Sequence, residues 1–217
     1  MKIKNMTEIV SRDNPILRKK TQDLKVSEIA SPKIQKIILR MKKALDSQDD
    51  GVAIAAPQIG ESYSIFVISP KVFGELKEYS SDNEAANPKN AAENENGEID
   101  AADLAKNSEH LVFINPKIVK LSKQEKMSQE GCLSIRWLYG RVKRSTKAAV
   151  RAYDEKGNKF ERGGSGLLAQ IFQHETDHLK GVIFTDKATV LQSLPPENNP
   201  TEPKKSDDIL SKDRTIQ

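Results

Sequence analysis

The sequence predicts one soluble domain that combines α-helices with β-strands. Two segments carry apolar residues at helical spacing, and several short runs rich in Val, Ile and Phe are bounded by turn residues. No apolar run is long enough to span a bilayer. With 217 residues, the chain can form a domain with a real core, and its 30% of charged residues indicates a polar surface.

The first helix is predicted to begin after residue 31. Ser31 is a favourable N-cap, and Pro32 suits the first helical position. A short helical or turn segment is expected upstream, around residues 15–18, and Asp49-Asp50-Gly51 is expected to end the helix. The apolar residues that recur at helical spacing are Ile34, Ile37, Ile38, Met41 and Leu45.

Three short apolar segments predict strands. Residues 64–69 indicate a buried strand that a proline ends, and residues 148–153 indicate a strand that enters a hairpin turn at residues 154–158. Residues 111–119 predict a further strand, which Asn115-Pro116 interrupts as a break or bulge.

Two segments lack any core pattern. Asn, Ala, Glu, Asp and Ser dominate residues 75–108, which predicts a solvated low-complexity insertion without a function of its own. From Leu194 onward, four prolines and mixed charge predict a flexible tail. We therefore expect a single domain over residues 1–190, interrupted by the insertion, and a tail over residues 191–217.

Cysteine usage and charge limit the location and the partners. Cys132 is the single cysteine, which excludes an intrachain disulfide framework and fits a reducing cytosol. The N-terminus lacks the apolar stretch of a secretory signal, so a cytoplasmic location is predicted, while Lys19 and Lys20 leave an organelle as the alternative. A net charge of +4, spread over mixed stretches, does not predict specific nucleic-acid binding, and no membrane partner is expected.

An HExxH motif lies in the second predicted helix, which Gly163-Gly164-Ser165-Gly166 introduces and Gly181 ends. Two histidines at positions i and i+4 share one helix face, so both can reach one metal ion. A glutamate between them is the usual general base beside such an ion. Burial of these polar groups on an apolar stripe is costly unless a metal satisfies them. The stripe contains Leu167, Ile171, His174 and His178, and the glutamate is Glu175.

Cys132 lies in a second segment, Glu130-Gly131-Cys132-Leu133-Ser134. Its thiolate can complete a three-ligand site that keeps an open position for water, which makes metal-assisted hydrolysis the leading reaction class. Gly131 permits close backbone approach, and Leu133 offers a backbone N–H beside the possible ligand.

A third segment runs from Gly51 to Gly60. Its small residues at positions 51, 53, 55 and 56 suit tight packing or the passage of a substrate backbone, and Gln58 can supply a neutral amide donor. Taken alone, this segment would be better explained as a packed turn with a surface glutamine.

Together, the three segments resemble the peptide deformylase family, which carries GxGxAAxQ, EGCLS and QHExDH motifs in this chain order. The similarity runs from Ile9 to Lys187 apart from the insertion. The resemblance implies an α+β fold in which antiparallel sheets wrap around the HExxH-bearing helix. It also implies metal binding by Cys132, His174 and His178, acid–base catalysis by Glu175, and stabilisation of the oxyanion by Gln58 and the Leu133 N–H.

The implied activity is removal of the N-formyl group from the initiator methionine of newly made polypeptides, with release of formate. Hydroxide generated at the metal would attack the formyl carbonyl while Glu175 transfers the proton. Small residues suit a groove for a formyl group, and Ile171 is expected to form a wall of the methionine pocket. The expected substrate-binding residues are Gly51, Ala53, Gly131 and Ile171.

Thiolate and imidazole ligands suit iron, zinc, nickel or cobalt. The resemblance favours one Fe²⁺ ion in the cell, with zinc as the common occupant after handling in air. It implies N-formyl-methionyl nascent peptides as the partners, with the ribosome surface as a further one.

The chain departs from the family pattern at three places. Ala53 replaces the second glycine of the first motif, and Arg136 followed by Trp137 replaces a common proline. The insertion over residues 75–108 is the third departure.

Two alternatives remain open. A zincin-type metallopeptidase would need a third ligand downstream of HExxH, but no histidine follows His178, and His110 lies at the edge of the insertion. A non-catalytic binding module near the ribosome would not need Glu175 or Gln58 merely to hold a metal.

Overall fold

The computed structural model describes residues 9–72 and 109–195 and contains two antiparallel sheets and two α-helices in these parts of the chain. The helices are α1 (Pro32–Asp46) and α2 (Gly166–Leu179). The strands are β1 (Ala53–Ala55), β2 (Ile65–Ile68), β3 (Leu111–Leu121), β4 (Glu125–Cys132), β5 (Ile135–Ser145), β6 (Lys147–Tyr153), β7 (Lys159–Ser165) and β8 (Leu191–Ser193). Short 3₁₀ turns cover Pro15–Arg18, Val26–Glu28, Ala56–Ile59 and Phe184–Asp186. The predicted α+β class is confirmed.

The first sheet has the strand order β1-β2-β3-β6-β7 and lies between the two helices. Because both faces are covered, β1 and β2 are apolar and buried at every position. Alternate side chains point to opposite faces: Phe66 and Ile68 belong to the core on the α2 side, whereas Ile65 and Val67 belong to the core on the α1 side. The sheet therefore gives α2 a rigid apolar support.

Aromatic packing holds α2 against this sheet. The rings of Phe66 and Phe113 stack with centroids 4.5 Å apart, and Phe172 of α2 meets Phe113 edge-on at 5.4 Å. Such buried rings contribute large apolar areas together with a preferred geometry. The helix that carries the HExxH motif is thereby held in a defined orientation.

The second sheet has the strand order β4-β5-β8 and was not predicted from the sequence. The two long strands β4 and β5 pair along most of their length, with a register shift between Glu130 and Cys132. Residues 191–193, which were assigned to the tail, instead pair with β5 as strand β8. Cys132 thus lies at the last position of β4, beside the tight connection to β5.

The predicted elements agree with the structure except at several boundaries. Helix α1 ends at Asp46 rather than at residues 49–51, and the Ser31 side chain makes no capping hydrogen bond. Gly163 and Gly164 belong to β7 and do not form a linker, so only the last residues of that segment lead into α2. Gly181 has φ 76° and ends α2 as predicted.

The bulge predicted in the third strand is present. Asn115 has φ 50° and interrupts the register of β3 with β6. Its side chain accepts a hydrogen bond from the Leu24 N–H at 2.8 Å and donates to the Leu24 carbonyl at 2.7 Å, which offsets the lost ladder bonds. The 75–108 insertion and the tail beyond residue 195 lie outside the described residues. In the part of the chain that is described, no helix is long and apolar enough to cross a membrane.

Candidate active site

Cys132, His174 and His178 come together in one cluster. Their candidate ligand atoms all lie within 4.8 Å of one another, and Cys132 Sγ is 3.3 Å from His178 Nε2. The histidines are one helical turn apart on α2, and their ring centroids are 4.9 Å apart. Residues from the second sheet and from the HExxH helix are therefore brought together as the motif pattern predicted.

The buried groups of this cluster fit a divalent transition metal. His178 Nδ1 and Glu175 Oε2 are buried and have no hydrogen-bond partner among the described residues. Burial lowers the pKa of His178 well below its ordinary value, which keeps this imidazole neutral and able to coordinate. Burial also acts to lower the pKa of His174, but hydrogen bonds with Cys132 and Glu130 outweigh it and raise that pKa. Cys132 and Glu130, which raise the pKa of His174, also favour the binding of a metal cation at this cluster.

Glu130 fixes the orientation of His174. The carboxylate accepts a hydrogen bond from His174 Nδ1 at 3.0 Å, which leaves Nε2 free to face the cluster. It also accepts two hydrogen bonds from Arg144, from Nε at 2.7 Å and from Nη2 at 2.9 Å. Burial by itself would raise the pKa of Glu130, but these partners lower it to about 2. Glu130 is therefore a permanent anion at physiological pH.

Two further charges extend this network to the protein surface. Arg144 Nη1 donates to Asp177 Oδ2 at 2.6 Å, and Lys187 Nζ donates to the same oxygen at 2.6 Å. The side chains of Glu130 and Arg144 are only 1% and 4% exposed, so each charge depends on its partners. Glu130 and Asp177 lie inside the recognised motifs but had received no role from the sequence. Arg144 carried no local signal. In the β4–β5 register it lies opposite Lys126 rather than Glu130, so only the folded side chains bring it to that carboxylate.

Glu175 is placed for proton transfer. Its side chain lines the active-site cavity, and burial raises its pKa to about 7, although the nearby His174 acts in the opposite direction. A carboxyl group with a pKa near neutrality can both accept and return a proton. This position agrees with the acid–base role that the motif suggested.

Gln58 lies on the 3₁₀ turn after β1 and has a defined amide orientation. Its Oε1 accepts a hydrogen bond from the Ala55 N–H at 2.8 Å, which directs Nε2 toward Cys132 Sγ at 3.5 Å and Ser134 Oγ at 3.4 Å. Leu133 is half-buried and lines the same cavity. Both candidate oxyanion donors therefore lie beside the cluster of Cys132, His174 and His178.

The cavity next to this cluster has a volume of about 300 Å³. Leu167 and Ile171 of α2 line it, and so do Val52 and Ala53 at the start of β1. Ala53 is in extended backbone paired with Ile68 and has no positive φ, so alanine is accommodated there without backbone strain. Leu167 and Ile171 form an apolar part of this lining, which suits an unbranched aliphatic side chain.

The two glycines of the predicted substrate site have different surroundings. Gly131 lines the cavity, and a Cβ atom there would lie 2.9 Å from the Tyr139 ring, so only glycine fits without a shift. Gly51 does not line the cavity. It is buried, and a Cβ atom there would lie 3.0 Å from Leu45 Cδ1, which indicates close packing against the end of α1.

Arg136 and Trp137, which depart from the motif pattern, lie at the rim of the cavity. Arg136 donates to both carboxylate oxygens of Asp50, at 2.9 Å and 2.7 Å, and also to Gln48. His110, the remaining histidine, pairs instead with Asp46 Oδ1 at 2.8 Å. Because Cys132 provides the third donor of the cluster and His110 is engaged elsewhere, a zincin-type site gains no support in the described residues.

An α+β fold with an HExxH helix, three clustered donors and a buried carboxylate defines a metal-dependent hydrolase. The family model described as polypeptide deformylase matches residues 6–193. The chain therefore belongs to the peptide deformylase family.

Curated relatives and solved structures agree with this family. Peptide deformylase 2 of Clostridium acetobutylicum is 34% identical over 184 residues, which covers 85% of this chain and 96% of the relative. The chloroplastic/mitochondrial peptide deformylase 1A of Arabidopsis thaliana is 36% identical, over 84% of this chain and 61% of that longer protein. A peptide deformylase structure from Legionella pneumophila superposes with a TM-score of 0.61 at 30% identity, covering 82% of this chain and 83% of that one.

Proposed function

We propose that this chain removes the N-formyl group from the initiator methionine of newly made polypeptides and releases formate. Cys132, His174 and His178 would hold one divalent metal ion for this hydrolysis. The observation that carries the proposal is the cluster of these three donors within 4.8 Å, next to a buried carboxylate and a cavity that Leu167 and Ile171 help to line. Relatives named as peptide deformylases over nearly the whole described chain support the same reaction.

Three residues of this chain would act in the hydrolysis together with the metal ion. A bound ion would supply Lewis acidity and lower the pKa of a water molecule. Glu175 accepts the proton of the attacking water and returns it to the amine that leaves. Gln58 Nε2 and the Leu133 N–H donate to the formyl oxygen as it gains negative charge. Formate and a free N-terminal amine are the products.

The cavity suits formyl-methionine. The methionine side chain packs against Leu167 and Ile171, whose position on α2 is set by the core beneath it. Gly131 and Ala53 leave room for a backbone close to the cluster. An acyl group larger than formyl would add bulk beside Gln58 and Cys132, whose side chains are already in contact at 3.5 Å. N-acetylated peptides should therefore be poor substrates.

Metal identity, partners and location complete the proposal. We infer that Fe²⁺ is the working ion, because thiolate and imidazole ligands accept a first-row divalent metal and the family resemblance favours iron. Oxidation of the coordinating Cys132 would then inactivate the enzyme in air. The substrates are nascent chains, so action close to the ribosome surface in the cytoplasm is proposed.

The proposal is tested by formate release from formyl-Met-Ala-Ser, with protein purified anaerobically and supplied with Fe²⁺. We expect about one metal ion per chain, loss of activity after chelation, and recovery with Fe²⁺, Ni²⁺ or Co²⁺. Acetyl-Met-Ala-Ser serves as the matched control and should release little acetate. Full activity in metal-free protein, or equal cleavage of both peptides, would reject the proposal.

A further inference from the structure

An ion pair joins two residues that line the active-site cavity. Arg136, near the start of β5, binds both carboxylate oxygens of Asp50, which follows α1, and it also donates to Gln48. The two charged side chains are 31% and 58% exposed, and both residues line the cavity. Two segments that are distant in the sequence are thereby tied together at the rim.

Trp137 follows Arg136 and has a costly backbone conformation. Its φ is 63°, a region that bulky residues rarely adopt, and its exposed fraction is 40%. The indole lines the cavity, and the Arg136 guanidinium lies 5.9 Å from the ring centroid. Strained residues of this kind persist where the surrounding structure holds them, and they occur preferentially at functional sites.

The position of this rim relates it to the polypeptide that follows the methionine. Catalysis places the formyl carbonyl at the Cys132 end of the cavity, and the apolar wall on α2 takes the methionine side chain. Asp50 and Trp137 are exposed where they line the cavity, as is Gln129, so the cavity is open to solvent at these residues. We place the rest of the substrate along Asp50, Arg136 and Trp137, because two of these three residues are exposed.

The charges around the rim balance one another. Arg136 neutralises Asp50, while Lys71 Nζ donates to the Gln48 and Asp49 carbonyls at 2.9 Å and 3.4 Å and so places a second cation beside the second aspartate. The rim therefore offers a substrate little net charge. Its largest exposed apolar group is the indole of Trp137.

We propose that Trp137 and the Asp50–Arg136 pair form a specificity site for the residues that follow the methionine. The indole packs against an apolar or aromatic side chain of the substrate, and the ion pair holds the two walls at the spacing this contact needs. A charged side chain is disfavoured there because it would lose hydration against the ring. The inference rests on the proposed deformylase function and adds a preference beyond the formyl-methionine itself.

The test compares kcat and KM for formyl-Met-Xaa-Ser and formyl-Met-Ala-Xaa, where Xaa is Ala, Leu, Phe or Asp. Wild type should prefer Phe and Leu over Asp, at one of the two positions, by roughly 3- to 10-fold in kcat/KM, which is the range that an aromatic contact supplies. Trp137→Gly removes the indole and also relieves the positive φ, so this variant should fold. It should lose the preference through a raised KM for the Phe and Leu peptides. Trp137→Phe should restore part of the preference.

A second set of variants separates the ion pair from general stability. Arg136→Met should weaken the same preference, and Arg136→Lys should keep more of it. Arg151→Met is the matched control, because Arg151 forms a similarly exposed pair with Glu161 on β6 and β7, at 3.0 Å. This control should leave the preference unchanged.

Each remaining outcome decides against the inference. A uniform loss on all peptides would assign Trp137 and Arg136 a structural role, and an unchanged preference in Trp137→Gly would remove the indole from substrate selection. An absence of formate release from every peptide by wild type would overturn the proposed function itself.

Discussion

Glu130 connects His174, a proposed metal ligand, to the rest of the protein. One of its oxygens bonds to His174, and both bond to Arg144, so the position of the imidazole depends on a buried guanidinium. The ligand residues thus form only part of the site, because the groups that orient them are equally buried. Removal of one partner would leave a buried charge without compensation.

Acid titration should reveal the contribution of Glu130 to stability. Its folded pKa of about 2 lies below the ordinary value of 4.5, so the ionised form is stabilised by folding. This contribution is fully present above pH 4.5 and is lost as the pH falls toward 2. A shift of this size corresponds to about 3 kcal/mol. Glu130→Gln should therefore destabilise metal-free protein strongly at pH 7 and hardly at pH 2, as measured by urea unfolding in the presence of a chelator.

The control for this experiment is Glu161→Gln, which removes an exposed partner of Arg151. Such surface pairs contribute at most about 1 kcal/mol, so little change is expected at any pH. A destabilisation by Glu130→Gln that stays constant from pH 7 to pH 2 would contradict the proposed ionisation.

Glu175 should be required for catalysis but not for metal retention. Glu175→Ala is expected to keep most of the bound metal and to lose roughly 10²-fold or more in kcat, because the proton of the attacking water loses its acceptor. Cys132→Ala should instead weaken metal retention. Metal content by elemental analysis and formate release separate the two effects, and near-normal turnover of Glu175→Ala would exclude its acid–base role.

Helix α2 is held at both ends by glycine. At its start, Gly164 in β7 lies so close to Leu168 that a Cβ atom would be only 2.7 Å from the leucine Cγ. At its end, Gly181 has φ 76°, and a Cβ atom would lie 2.5 Å from the Arg18 carbonyl oxygen. The HExxH helix is therefore positioned by close backbone contacts as well as by the aromatic core.

Gly181→Ala should destabilise the protein by about 2 to 4 kcal/mol, because backbone strain and a clash with the Arg18 carbonyl act together. Gly60→Ala is the matched control. Gly60 has a similar φ of 80°, but no atom lies within 4 Å of the point that an added Cβ would occupy, so strain alone should cost about 1 kcal/mol. Chemical unfolding of both variants checks the difference, and equal losses would show that the contact at residue 181 relaxes freely.

The active site depends on three segments that the whole fold assembles. Cys132 ends a strand of the second sheet, the histidines lie on α2, and Gln58 lies on a turn after the first strand. The sheet order places β2 beside β3, with Ile68 opposite Leu111. The strands before and after the insertion thus lie next to each other.

Replacement of residues 78–107 by a short Gly/Ser linker should preserve folding and turnover. The insertion connects two strands, β2 and β3, that already lie side by side. Closure of a shorter loop between them costs less conformational entropy. The melting temperature should stay equal or rise, with formate release unchanged. Insolubility or lost activity in this variant would show that the insertion contributes to the domain or to the site.

The sequence by itself identified the candidate metal ligands, the two helices and three strands of the first sheet, β2, β3 and β6. Those features leave local signals: an i, i+4 histidine pair, apolar residues at helical or buried-strand spacing, and turn residues at the boundaries. The second sheet left a weaker signal, because β4 has only two buried positions and its remaining residues are half-buried or exposed. Contacts between distant positions left none, and among them are the Arg144–Glu130 pair and the Asp50–Arg136 bridge. Only the tertiary structure decided these, because charges that neutralise one another across a fold need no particular spacing along the chain.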